Sequence, residues 1–319
     1  MSGMRPKLFI LLVILAAACA IGIANGSVKI PIAELFKAGN LQILYLRFLR
    51  ILAAIVVGSG LAVSGIILQA VLRNPLADPY LLGTSSGAGL GACIAVVTGL
   101  GAIFLPLAAF ACALATVALV YMISREGSRV PVQSLILSGV IVSLALSGII
   151  VFIISSSANE AMHGLMWWLW GSLEIYDIKL LLAISAVVVV SIAVTYFLSQ
   201  DLNAICIGEE EALHLGVDSE KVKKFLLCLA SLMSASLVCV SGIIGFVGLI
   251  IPHAMRFVVG SNHKRLIPAA CLGGASFMII SDTLGRTAIA PTEIPIGVIT
   301  AVLGAPIFII LLKLNRKTR

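Results

Sequence analysis

Three observations place this 319-residue chain among all-α polytopic membrane proteins. Hydrophobic residues make up 61% of it and charged residues only 11%, whereas soluble domains carry about a quarter charged residues. The mean hydropathy is +1.16. The apolar residues also gather into ten runs: Leu8–Ala24, Ile51–Leu72, Tyr80–Leu100, Ala102–Ile123, Ser134–Ser155, Leu180–Leu198, Phe225–Ile244, Phe246–Val259, Leu266–Ser281 and Ile294–Leu312. A bilayer-crossing helix takes about 20 such residues, with about 17 as the lower limit. The reading is one membrane domain, 1–319, of ten transmembrane helices, with a cytoplasmic loop at 201–224.

The first run follows Arg5 and Lys7, and Ala16-Ala17-Ala18-Cys19 sits within it. A signal peptide has this look, but nine further runs follow, so an uncleaved first helix is the preferred reading. Spans two and three are joined by Arg73-Asn74-Pro75-Leu76-Ala77-Asp78-Pro79, and spans four and five by Arg129-Val130-Pro131-Val132-Gln133. Proline stiffens both turns, which suits a gate at the inner mouth. In the fifth span Gly139, Ser143 and Ser147 repeat at a spacing of four, and in the tenth Gly297, Ala301 and Ala305 do the same. Such stripes let helices approach closely, either inside one subunit or at a subunit interface or pathway wall. The eighth run is short, holds Pro252 and follows Gly242, Gly245 and Gly248. It reads as a half-span or kinked helix, which needs protein or water over its freed backbone. Trp167, Trp168 and Trp170, in an outer loop, read as an interfacial belt.

Orientation follows from the 21 Lys and Arg residues. With the N-terminus inside, fifteen fall on the cytoplasmic side, Arg129 and Arg319 among them. Six fall outside: Lys29, Lys37, Arg47, Arg50, Lys179 and Arg286. The positive-inside rule then puts both termini in the cytoplasm. The net charge of +7 reports this topology and not nucleic-acid binding.

The longest polar stretch, 201–224, separates the sixth and seventh spans. Gly208 and Gly216 bracket Glu209, Glu210, Glu211, Ala212, Leu213, His214 and Leu215, and Lys221, Lys223 and Lys224 mark the return to the bilayer. Acids at the front of a short helix suit its dipole. The segment is either a solvated loop or a docking helix for a cytosolic motor.

Several chemistries have no residues to carry them. Seven cysteines lie mostly inside apolar runs without paired spacing, so they read as buried hydrophobes and neither metal ligands nor disulfides. No G-x-x-x-x-G-K-[ST] loop is present, so the chain lacks a P-loop for ATP. No acid sits in mid-span; Asp282, near a span end, precedes Arg286 by four residues, the favourable order for an ion pair. An ion-coupled secondary transporter, the alternative reading, would need a buried ionisable relay. An intramembrane enzyme would need a catalytic constellation, and none is found.

Three long motifs resemble a known family: RFLRILAAIVVGSGLAVSGIILQAVLRNPLADPYLLG at Arg47–Gly83, GIIGFVGLIIPHAMR at Gly242–Arg256, and Ser281–Pro306 ending TEIPIGVITAVLGAP. Phe48-Leu49 stands where that family usually has Leu-Pro. The loop Gly208–Val217 matches the family's coupling loop. The chain thus resembles the permease subunits of iron-siderophore, haem and vitamin B12 importers (FecCD/BtuC-like). This resemblance implies the type II ABC importer permease fold, with ten helices per subunit, in the cell inner (plasma) membrane. It implies a homodimer, two cytosolic ABC ATPase subunits and an extracytoplasmic substrate-binding protein as partners. It implies no catalytic residue, no metal site and no cofactor in this chain, since ATP and Mg belong to the partner ATPase. By the resemblance, Gly208–Gly216 couples to the ATPase, and Asn74, Pro75, Leu76, Pro131, Val132 and Gln133 form cytoplasmic gates. The stripes on spans five and ten line the pathway or meet across the dimer. Arg47, Arg50 and Arg286 receive acidic residues of the binding protein; the plainer alternative is that they anchor helix ends or, for Arg286, only satisfy Asp282.

Overall fold

The computed structural model describes residues 4–101, 103–127, 130–156, 161–175 and 177–317. Arg129 and Arg319, counted above for orientation, lie outside them. Among the described residues there is no β-strand, and fourteen α-helices follow one another. They are α1 (Met4–Ala24), α2 (Ile32–Leu35), α3 (Leu41–Val71), α4 (Thr84–Val97), α5 (Phe104–Ser124), α6 (Val132–Ser156) and α7 (Ala161–Leu169). Then come α8 (Ile178–Phe197), α9 (Ser199–Ile207), α10 (Glu209–His214), α11 (Ser219–Ser241), α12 (Val247–Val259), α13 (His263–Thr287) and α14 (Ile296–Lys317). Seven of them, α1, α3, α5, α6, α8, α11 and α13, are long and apolar enough to cross a membrane; Thr84–Val97, Val247–Val259 and Ile296–Leu311 are shorter apolar helices. The ten together occupy the runs read from the sequence.

The long helix α3 forms the centre. It packs against α13, α11, α12 and α8, and from Val56 to Leu72 every residue is buried. Small residues make this possible. A side chain at Gly65 would strike the backbone of Gly248, so α12 rests directly on α3. Close backbone approach replaces hydrophobic driving force inside a bilayer, where lipid tails are as apolar as leucine. α1 and α8 pack against α3, while further out α5 lies against α4 and α11 and α6 against α4 and α5, and all four turn large apolar side chains outward, Phe9, Leu107, Leu144, Phe152 and Val189 among them. Apolar-out, small-residue-in packing is the order expected of a protein solvated by lipid.

α3 begins at Leu41, ten residues before the expected span start at Ile51. The two arginines that held the expectation back, Arg47 and Arg50, lie within the helix because its neighbours satisfy their charges. Neither α7 nor α9 was expected as a helix; both are nine-residue helices at the ends of the bundle. The expected break at the eighth span is present. Gly242–Gly245 is non-helical, Phe246 has φ 71°, and α12 holds Pro252.

Two contacts fix which ends lie together. Lys7 Nζ donates to the carbonyl of Val258 at 2.6 Å, so α1 starts where α12 ends. The opposite end of α1 meets Arg47 and Arg286, from α3 and α13.

Candidate functional site

Apart from the small-residue stripes, the residues singled out in the sequence fall into two places, one at each end of the bundle. The first is built on α9, α10 and the turn after α3. Asn203 of α9 accepts from the backbone N–H of His263 at 3.0 Å, which fastens α9 to the start of α13. Gly208 then turns the chain into α10. That six-residue helix ends in a Schellman motif: Val217 N donates to Ala212 O and Gly216 N to Leu213 O, both at 2.9 Å. Gly216 takes φ +82°, the left-handed conformation in which a β-carbon is penalised. Ala212 is fully buried, whereas Leu213 and Leu215 are 67% and 66% exposed, with Ile207 beside them at 68%. Glu210, Glu211 and His214 are exposed too. A short, well-ended helix that presents leucines among acids has the make-up of a docking surface, since apolar anchors ringed by polar groups dominate protein interfaces.

The turn after α3 is held as tightly as its prolines suggested. Asn74 folds it by accepting from Leu76 N through Oδ1 at 2.9 Å, and its carbonyl accepts from Ala77 N at 3.1 Å. Leu76 is half exposed and Pro75 exposed. Asp78 caps the next turn by accepting from Tyr80 N at 2.9 Å, and burial pushes its carboxyl up to about 6. The other expected gate, Pro131, Val132 and Gln133, is the first turn of α6; the carbonyl of Pro131 accepts from Leu135 N at 3.0 Å.

Beneath this turn lies a residue that the sequence reading passed over. Gln69, 4% exposed, points its Nε2 at the carbonyls of Ala77, Gly248 and Leu249, each at 3.3 Å, while its Oε1 accepts from Arg256. The reason lies in Pro252. Proline has no N–H to give to the carbonyl four residues back, and that carbonyl is Gly248. Gln69 supplies the missing donor and joins the turn after α3 to the half-helix α12. A lone amide in the apolar run Ile51–Leu72, with a proline-broken helix elsewhere in the chain, was the available signal.

The second place is the opposite end, where Arg47, Arg50 and Arg286 converge with unequal roles. Arg47, 4% exposed, donates to the carbonyls of Ile23 (2.7 Å), Ala24 (3.2 Å) and Val28 (2.8 Å). Arg286, 3% exposed, donates to Asn25 O at 3.1 Å and pairs with Asp282 at 2.8 Å. Both cations close the carbonyl end of α1, where the helix dipole is negative. Only Arg50 reaches the surface in part. It grips Glu293 through two hydrogen bonds, 2.9 and 2.7 Å, and lies 3.4 Å from Glu174 and 3.7 Å from Asp282. The expected open basic patch is therefore, in this structure, a set of three arginines matched by three acids, two of which, Glu174 and Glu293, the sequence reading did not weigh. Trp167 stands at the rim of the same cavity, so this tryptophan faces the arginine cluster as well as its partner Trp170.

The small-residue stripes divide. Gly139 is spent inside the subunit, since a side chain there would strike the carbonyl of Leu81. Gly297 likewise lies against the carbonyl of Trp170, to which its own N–H donates at 3.0 Å; Ile296 N donates to Gly171 O at 3.2 Å. The end of α7 thus caps the start of α14. Ser143, Ala301 and Ala305 are half-buried and Ser147 is exposed. Among the described residues no group of His, Cys, Asp or Glu could hold a metal ion.

Comparison with known proteins gives a consistent picture. The FecCD transport family matches residues 11–313. A cobalamin import system permease of Halobacterium salinarum is 41% identical over 86% of this chain and 73% of its own length. A hemin transport system permease of Yersinia pestis is 35% identical over 99% of this chain and 98% of its own. A solved inward-facing ABC transporter assigned to the metal-chelate type superposes with a TM-score of 0.89 at 32% identity, covering 97% of this chain and 99% of that one.

Proposed function

The chain belongs to the FecCD transport family, and we propose that it is the permease subunit of an ABC importer that carries an iron-siderophore complex, haem or vitamin B12 into the cytoplasm. The observation that carries the reading is α10, a six-residue helix fixed by a Schellman turn that holds Leu213 and Leu215 out into water. An exposed pair of leucines there is costly unless a partner covers it, and the partner is a cytosolic ATPase. That partner binds the ATP and Mg; this chain holds no cofactor and catalyses no reaction. Two copies of the permease form the pathway, with both termini on the α10 side in the cytoplasm of the inner-membrane cell face. An extracytoplasmic binding protein delivers the ligand at the Arg50 end. The cobalamin and hemin relatives support a bulky, metal-bearing ligand. The turn at Asn74–Leu76 and the start of α6 at Pro131–Gln133 stand as the inner gates.

The test is uptake in proteoliposomes that hold the permease, its ATPase and its binding protein. Uptake of ferric siderophore, haem or cobalamin should require ATP on the α10 side and survive collapse of proton and sodium gradients. Uptake that follows an ion gradient without ATPase would sink this reading in favour of a secondary transporter.

A further inference from the structure

Resting on the proposed docking of a binding protein at the Arg50 end, we infer that Glu293 is an internal stand-in for the partner's carboxylate, which must displace it from Arg50 for docking to occur. Arg50 uses both terminal nitrogens on Glu293, at 2.9 and 2.7 Å, the two-pronged geometry in which a guanidinium recognises a carboxylate. With that fork filled, an incoming acid has no cation to meet. Charge adds to the obstruction. The cavity of about 110 Å³ at this site is lined by Arg50 and Arg286 but by three acids, Glu174, Asp282 and Glu293. Within the lining the acids outnumber the arginines by one, because Arg47, the third arginine of the cluster, is turned to the carbonyls at the end of α1. Once Glu293 leaves, the remaining charges balance and the fork is open.

Of the three acids around Arg50, Glu174 lies 3.4 Å from one terminal nitrogen, outside the two-pronged pair, and the other two differ in freedom. Asp282 is buried and committed to Arg286 at 2.8 Å. Glu293 keeps 26% of its side-chain surface exposed and comes from the connection between α13 and α14, not from a helix. Its other hydrogen-bond partner, Ser27, also lies between helices, so releasing Glu293 moves no span. Arg47 and Arg286 take no part in the exchange, because backbone carbonyls at the end of α1 hold them. Arg50 is thus the one arginine of the three placed to change partners. An exchange of like for like also explains how the site keeps Arg50 satisfied, and the cluster intact, when no binding protein is present: a half-buried guanidinium without a counter-charge would be destabilising.

The experiment measures association of the substrate-binding protein that supports uptake with the permease–ATPase complex in nanodiscs, at low and high salt. Glu293→Gln removes the competing charge and should raise the association rate about tenfold at low salt, the lower range of electrostatic steering, with the gain shrinking at high salt. Arg50→Ala should slow association, and Arg50→Ala combined with Glu293→Gln should remain slower than wild type, because the fork that receives the partner's acid is gone. Glu293→Asp, too short to reach both nitrogens, serves if the Gln variant fails to assemble, and should give a smaller gain. If Arg50→Ala slows docking while neither Glu293 variant speeds it, the stand-in role is wrong and the docking reading survives. If Arg50→Ala has no effect either, the docking reading itself fails.

Discussion

Gln69 shows what one polar side chain must do in a lipid-solvated core. It supplies the donor that Pro252 withholds from Gly248, and it holds the charge of Arg256. Gln69→Leu leaves a buried carbonyl and a guanidinium without their partner, at about 1–3 kcal/mol for each unsatisfied group. Thermal unfolding in nanodiscs should show that loss, and ATP hydrolysis should continue with less transport per ATP, because the turn Asn74–Asp78 is no longer tied to α12. Unchanged stability and stoichiometry would make the contact incidental. Glu293 gives a pH-dependent counterpart. Burial pushes its carboxyl up, but the hydrogen bond and charge of Arg50 outweigh this and hold it below the ordinary 4.5. A carboxyl with a lowered folded pKa stabilises fully above its unfolded value and loses that contribution as pH falls through the folded one. Wild type should therefore lose stability relative to Glu293→Gln below about pH 4.5, read as a narrowing difference in Tm. These residues also mark where the sequence ran out. Asp282 and Arg286 were legible as a pair because four residues of helix separate them, and they do pair. Glu293 and Arg50 are 243 residues apart, so no local spacing rule could join them, and the arginines read as an open patch.

At the scale of elements, the helices were legible where apolar length defined them and illegible where partners did. α10 was legible because Gly208, three acids and Gly216 are local signals for a short helix and its end. α7 and α9 were missed because each is too short to stand out by length and is stabilised by neighbours, α9 through Asn203 and His263. The start of α3 was missed because arginines inside a membrane helix look like a boundary until their partners are known. The stripe on α14 was read as possible subunit contact, yet its first member is an internal joint. Gly297→Ala should push the carbonyl of Trp170 away and loosen α7 from α14, costing about 1–3 kcal/mol in the manner of an overpacked core. Tryptophan fluorescence should report the shift of Trp167 and Trp170, with the mass of the proposed dimer unchanged. Ala301→Leu is the substitution that should weaken the proposed dimer instead. If Gly297→Ala dissociates the dimer and leaves the fluorescence unaltered, the joint has been misplaced.

For the whole molecule, the division between lipid-facing and central helices follows from composition. α3 carries Gly58, Gly60 and Gly65 where its neighbours approach closely, whereas α5, α6 and α8 present leucine, isoleucine, valine and phenylalanine to the outside. What composition does not encode is which apolar face meets lipid and which meets the proposed second subunit, since Leu137, Leu144 and Phe152 on α6 suit either. Nor does it encode the cargo of the proposed importer: small and apolar residues on the central helices carry no code for one ligand over another. The polar α10 segment is different, because exposed leucines in a charged stretch have few other uses. The most direct test is therefore there. Leu213→Asp and Leu215→Asp place charge on the exposed face without touching buried Ala212 or the Gly216 turn. The affected permease should retain its melting temperature and the mass of the proposed dimer, fail to retain the proposed ATPase partner on co-purification, and lose ATP-dependent uptake. If the ATPase still co-purifies and uptake persists at the wild-type rate, α10 is an ordinary solvated helix and the account of how this permease is driven is wrong.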